Sequence, residues 1–204
     1  MTDYELVPAR AENYAKAERG FDEIRYIVVH YTANRNDTAR GNCRYFQNTI
    51  TKTSGHFFVD GKEIVQSVPL DHAAWHCGGK IIPGTDGGKF YGKCTNTNSI
   101  SVELCGTGCT GTEILPSEAT VEMAVALVKE LMEVFGIPAE NVIRHYDVTG
   151  KLCPAYWVDE TRWNEEFKSK LVPPVYFNGI GISDGRVYLV ADGIVKKVLA
   201  DTNE

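Results

Sequence analysis

His30, His145 and Cys153 have the types and the spacing of a catalytic zinc site. Such a site takes three protein ligands, with neutral imidazole nitrogen and thiolate sulfur among the preferred donors, and leaves a fourth position open for water. His30 follows the apolar, β-branched run IRYIVV (Ile24 to Val29), and His145 follows the short run NVIR (Asn141 to Arg144), so each is expected where a strand ends. Cys153 comes eight residues after His145 across YDVTGKL, a loop long enough to return a thiolate to the same metal. The residues also fit a plainer part, as strand-end histidines that cap a sheet by hydrogen bonding and a cysteine that fills a small buried space. A competing set lies in DHAAWHCGG, where His72 and His76 stand four apart beside Cys77, the spacing of two ligands on one helical face. It lacks a glutamate directly after the first histidine, and Gly78-Gly79 favours a loop there, so this set ranks second.

Hydrolysis of an amide needs a group that takes a proton from water and a proton for the departing amine. Glu103, inside the apolar run ISVEL, is the candidate. Alternation along a strand puts Val102 and Leu104 on one face and Ser101 and Glu103 on the other. A carboxylate buried there needs either a partner charge or a task, and both readings stand. Lys151, two before Cys153, is near enough to help hold a tetrahedral oxyanion, or is an exposed loop lysine. Asp147 either orients His145 or caps its own turn. His56 is expected to be structural or to face substrate, since a fourth protein ligand would fill the open position. Trp75 and His76 are expected to line a pocket.

These residues must be positioned by a framework that the pattern also shows. A helix is expected over Ala39 to Thr49, and two strands, HFFVD and GKEIVQSV, are joined at the hairpin dipeptide Asp60-Gly61. Gly78 to Gly92 reads as a long surface loop. The clearest helix runs from Ser117 as N-cap to about Phe135, with Val121, Ala124, Val125, Val128, Leu131, Met132 and Phe135 as its apolar stripe, and Gly136 and Pro138 end it. A last helix is expected from about Asp159 to Leu171. The mixture of strands and helices points to an α/β domain with a central β-sheet flanked by helices. Pro173-Pro174 marks a boundary, so residues 1–172 form the expected catalytic domain. Residues 173–204, with turn dipeptides at Asp184-Gly185 and Asp192-Gly193, read as a small β tail that must pack on the domain, on wall polymer or on a second chain, the last giving a homodimer.

Composition limits the functions open to this frame. The 204 residues carry a net charge of −6, and the longest basic cluster is Lys196-Lys197, so neither nucleic acid nor an anionic membrane is an expected partner. No apolar run reaches the ~18 residues of a membrane span, and the polar start MTDYELVPARAENYAKAERG has no secretory pattern. The six cysteines then fit a reduced compartment better than a disulfide scaffold.

Taken together, IVVHYTAN around His30, SGHFFVDGKEIVQSV, AWHCG, NSISVELCG around Glu103 and VIRHYDVTGKLCPAYWV resemble the type 2 N-acetylmuramoyl-L-alanine amidases, the family that includes phage amidases and peptidoglycan recognition proteins. The resemblance covers roughly residues 20 to 170, and the last motif is the most specific. It implies that His30, His145 and Cys153 hold Zn2+, that Glu103 is the catalytic carboxylate and that Lys151 stabilises the oxyanion. It also implies a mixed central β-sheet with helices packed on its faces, and a substrate that is bacterial peptidoglycan, cut between N-acetylmuramic acid and L-alanine; Thr32, His56, Trp75 and His76 are expected on the substrate side. Some relatives carry a catalytic tyrosine where this chain has Gly55, which leaves the proton transfer to Glu103. The alternatives are a peptidoglycan-binding module without activity and a zinc hydrolase of another wall amide. With no export signal read, the expected setting is a phage or prophage lysin made in the bacterial cytoplasm that acts on the wall after release.

Overall fold

The structure is a computed structural model that describes residues 3–107, 109, 111–171, 179–183, 186–191 and 194–201. In chain order its strands are β1 (Glu5–Leu6), β2 (Tyr14–Ala15), β3 (Tyr26–Arg35), β4 (Phe57–Val59), β5 (Ile64–Gln66), β6 (Ala73–Ala74), β7 (Ser99–Gly106), β8 (Val142–Arg144), β9 (Gly179–Ser183), β10 (Arg186–Ala191) and β11 (Ile194–Asp201). The helices are α1 (Ala39–Asn48), α2 (Glu118–Phe135), α3 (His145–Thr149) and α4 (Glu160–Glu166). Two compact units result, residues 1–171 and 172–204.

The first unit is built on a mixed six-stranded sheet of order β1-β5-β4-β7-β3-β8. The central pairs β4/β7, β7/β3 and β3/β8 are parallel. Parallel strands covered on both sides lose the apolar-polar alternation, and Ile27, Val28 and Val29 are accordingly all buried. One face carries Ile27, Val29, Ile100, Val102 and Leu104 and packs against α2. There α2 supplies Ala124, Val125, Leu127, Val128 and Leu131, near-complete burial being worth ~1.5–3 kcal/mol for each large aliphatic chain. Leu127 belongs to this stripe although the sequence pattern omitted it, and Met132 and Phe135 lie at its margin. Ser117 caps the helix by accepting from Thr120 N, and Gly136 ends it with a φ of 63°. On the opposite face, Phe58, Val65 and Cys105 pack on Ala39 and Cys43 of α1, beside the residues that could do chemistry.

Three expectations are corrected. The strand carrying His30 does not end there but runs on to Arg35, because β7 continues to pair with it as far as Gly106 across an irregularity between Tyr31 and Arg35. The stretch after His145 is not all loop, since its first four residues continue from His145 as α3. The last helix stops at Glu166, Phe167 leaves helical geometry with φ −132° and ψ −59°, and a short 3-10 turn follows over Lys168–Lys170. In the second unit, β9, β10 and β11 form an antiparallel three-stranded sheet. Pro173-Pro174 and the dipeptides at 184–185 and 192–193 lie outside the described residues. Among the described residues, no helix is long and apolar enough to cross a membrane.

Candidate metal centre and active-site cleft

Sheet register brings distant residues together first. His30 and Glu103 are direct partners on β3 and β7, and Phe58 of β4 is the next partner beyond Glu103. Residues paired across neighbouring strands point to the same face, so these side chains form the floor of a cleft of about 310 Å3. Its walls include Asn42, Tyr45 and Phe46 from α1, Trp75 and His76 after β6, and Lys151 with Cys153 beyond α3.

His145 is delivered at the junction of β8 and α3, and Cys153 is folded back beside it. Gly150 takes the left-handed conformation with φ 79°, which ends α3, and the Cys153 carbonyl accepts from Tyr146 N at 2.9 Å. Arg144 locks this corner from below. Its Nε and Nη2 donate to the two Asp147 oxygens at 3.0 and 2.7 Å, and its Nη1 donates to the Trp157 carbonyl at 2.7 Å. Asp147 also accepts from Arg144 N at 2.8 Å, so it caps its own turn and pairs with Arg144 instead of orienting His145.

One donor atom from each of His30, His145 and Cys153 falls within a cluster no wider than 4.8 Å, and all three residues are buried. Two observations test whether a metal fits. Both ring nitrogens of His145 are buried without a hydrogen-bond partner, a costly state for an imidazole unless a ligand completes it. His30 Nδ1 lies 3.6 Å from Cys153 Sγ, about the ~3.6 Å edge that tetrahedral Zn–N and Zn–S bonds generate. Burial, then Lys151 and His76, hold the His145 pKa down at about 3, and burial with His145 beside it keeps that of His30 well below the ordinary value. Both rings therefore stay neutral, with a lone pair to offer. Burial and the nearby Glu103 push the Cys153 thiol up to about 12, so a metal would have to displace its proton.

Glu103 Oε1 stands 3.8 Å from His30 Nδ1. Burial pushes the Glu103 carboxyl up to about 8, against the pull of the Lys151 ammonium. Gly55 makes room for it, since a Cβ at position 55 would stand 3.0 Å from Glu103 Cγ and 3.1 Å from the Phe58 ring.

The other expected site residues divide. Thr32, Trp75, His76 and Lys151 line the cleft. His56 does not face substrate: it is fully buried, with Arg19 Nη2 2.8 Å from its Nε2 and Ser101 Oγ 3.2 Å from its Nδ1. A guanidinium can only donate, so His56 is a structural acceptor for Arg19, which in turn donates to the carbonyls of Leu70, Asn96, Thr97 and Ser99. The rival pair also dissolves. His72 and His76 flank β6 and not a helical turn, and His72 stacks on Tyr14 with ring centres 5.4 Å apart. The contribution of α1 was missed, although Asn42, Tyr45 and Phe46 at i, i+3 and i+4 signal one helical face.

Comparison with known proteins agrees with this geometry. The model of the N-acetylmuramoyl-L-alanine amidase family matches residues 20–156. N-acetylmuramoyl-L-alanine amidase CwlL of Bacillus licheniformis is 35% identical over 153 residues, covering 72% of this chain and 41% of that protein, so the chain spans less than half the length of this relative. The structure of PlyL aligns with a TM-score of 0.65 at 28% identity, over 85% of this chain and 98% of that one. A mutant endolysin from Bacillus subtilis aligns with a TM-score of 0.62 at 30% identity, over 84% and 100%. With the fold, the cleft and the family match in agreement, the chain belongs to the N-acetylmuramoyl-L-alanine amidase family.

Proposed function

We propose that this chain is a zinc-dependent hydrolase of bacterial peptidoglycan that cuts the amide between N-acetylmuramic acid and L-alanine. The observation that carries the reading is the buried His30, His145 and Cys153 cluster with both His145 nitrogens unpartnered, beside a carboxyl whose pKa is raised to about 8. His30, His145 and Cys153 would hold the ion. When bound, zinc would supply Lewis acidity, making water more acidic and the scissile carbonyl more electrophilic.

The chain's own residues supply the rest. Glu103 takes the proton of the attacking water on its carboxylate and returns it to the L-alanine nitrogen as the amine leaves. A pKa near neutrality suits a group that must do both. Lys151 lines the cleft, and its ammonium would stabilise the oxyanion that develops on the lactyl carbonyl. Thr32, Trp75, Tyr45 and Phe46 offer two hydroxyls and aromatic faces along the same cleft, a lining suited to a sugar ring and an extended stem peptide. As a lysin the protein would act on the wall after release from the cytoplasm, and the tail at 173–204 would bind wall polymer, pair two chains or extend the packing.

The test is zinc content by elemental analysis together with mass analysis of fragments released from purified wall. The reading expects one zinc per chain and glycan strands freed of stem peptide. Release of cross-link fragments would instead identify another wall amide as the substrate. Zinc with wall binding but no release of amines would identify a binding module.

A further inference from the structure

His30 could offer either ring nitrogen to the metal cluster, and the choice is made by hydrogen bonds that begin at a backbone carbonyl. The Thr95 carbonyl can only accept, so the Ser99 hydroxyl, 2.5 Å away, donates its single proton there. Ser99 Oγ must then accept from His76 Nε2, 3.1 Å away. A neutral imidazole carries one N–H, so His76 Nδ1 is left as an acceptor, and it lies 3.0 Å from His30 Nε2. His30 therefore carries its proton on Nε2. Its Nδ1 lone pair is left facing Cys153 Sγ at 3.6 Å and Glu103 Oε1 at 3.8 Å.

The relay is held firmly at its far end. Asn96 Oδ1 accepts from the backbone N–H groups of both His76 and Cys77, at 3.1 and 3.0 Å. Ser99 is fully buried at the first position of β7. The Cys77 thiol, 3.8 Å from Ser99 Oγ, donates its one proton to Asn96 Oδ1 at 3.4 Å and so leaves the direction of the chain unaltered. Ligand histidines in metal sites are commonly oriented by whatever their second nitrogen bonds to. Here that partner is another histidine, whose own tautomer is set by a serine.

We infer that Thr95, Ser99 and His76 form a positioning relay that fixes His30 in the tautomer offering Nδ1 to the metal, so that His76 acts through His30 and not on substrate. This rests on the zinc reading above.

The test combines imidazole nitrogen NMR on the wild-type chain, metal-free and zinc-loaded, with zinc affinities from chelator competition. The spectra should show the proton on Nε2 of both His76 and His30, and zinc on His30 Nδ1. A proton on His76 Nδ1, or zinc on His30 Nε2, would overturn the relay. Ser99→Ala and His76→Ala should each weaken zinc binding by about 10- to 100-fold, while Ser99→Thr, which keeps the hydroxyl, should restore it. Unchanged affinity in folded Ser99→Ala and His76→Ala proteins would also overturn it. If either variant fails to fold, the wild-type spectra decide. A wild-type chain that binds no zinc would refute the zinc reading instead, and the metal-free spectrum would still decide the relay.

Discussion

Glu103→Gln should remove turnover and at the same time stabilise the metal-free protein, by an amount that depends on pH. The carboxyl is 15% exposed and faces a neutral His30 at 3.8 Å, so its charge is poorly solvated and unpaired at close range. Its folded pKa of about 8 lies above the ordinary 4.5. Between those values the folded chain keeps a proton that the unfolded chain has released, so stability falls as pH rises through the window and is lowest above 8. The interval from 4.5 to about 8, at ~1.4 kcal/mol per pH unit, bounds the penalty at about 5 kcal/mol. Remaining contact with water reduces it, and about 2–5 kcal/mol is expected. Glutamine has the same shape without the charge, so the two proteins should match near pH 4.5 and separate by that amount at pH 8.5. Urea denaturation in the presence of a chelator measures the difference, since the titration of every other group is common to both. Parallel curves across this range would show that burial of Glu103 does not strain the fold and would remove the physical basis for its raised pKa. On wall substrate, the variant should bind zinc yet lose about 100-fold or more of its rate, the usual contribution of a positioned acid-base group.

Other perturbations separate the site from its supports. Cys153→Ala should abolish tight zinc binding while leaving a folded chain, with metal retained on dialysis as the measurement; stoichiometric retention would exclude Cys153 as a ligand. Arg144→Met leaves Asp147 buried without its partner and should cost about 3–5 kcal/mol, read as a lowered urea midpoint; an unchanged midpoint would show that water replaces the pair. Gly55→Ala puts a methyl group 3.0 Å from Glu103 Cγ and 3.1 Å from the Phe58 ring, so it should lower turnover without lowering zinc affinity; wild-type turnover would mean that the carboxyl is free to move. Removal of residues 173–204 should leave hydrolysis of a small soluble muropeptide intact, because the residues lining the cleft belong to the first unit; loss of that activity in a folded product would assign the tail a part in the site.

Residues that lie close together in the chain could be grouped from the chain alone. His145, Lys151 and Cys153 fall within one short run in which Gly150 can reverse the backbone, and the helix from Ser117 to Gly136 announces its cap, stripe and stop. The order of elements and the unbroken apolar runs were enough to indicate a covered central sheet. What tertiary structure decided was everything that depends on which face a residue presents and what lies across from it. His30 and Glu103 are 73 residues apart and become neighbours only through the parallel register of β3 and β7. The continuation of β3 beyond His30 depends likewise on a partner strand that local pattern cannot show. His56 carries the same donor atoms as a substrate contact, but Arg19 and Ser101 cover it, so burial assigned it to the framework. Asp147 was claimed by Arg144 for the same reason, proximity of an opposite charge inside the fold. His76 was expected to line a pocket on the substrate side. Only the packing of three separate segments put its Nδ1 on His30 and its Nε2 on Ser99. Sequence determines which donors and acceptors exist, while the direction of each hydrogen bond depends on which atoms the fold brings within 3 Å of one another.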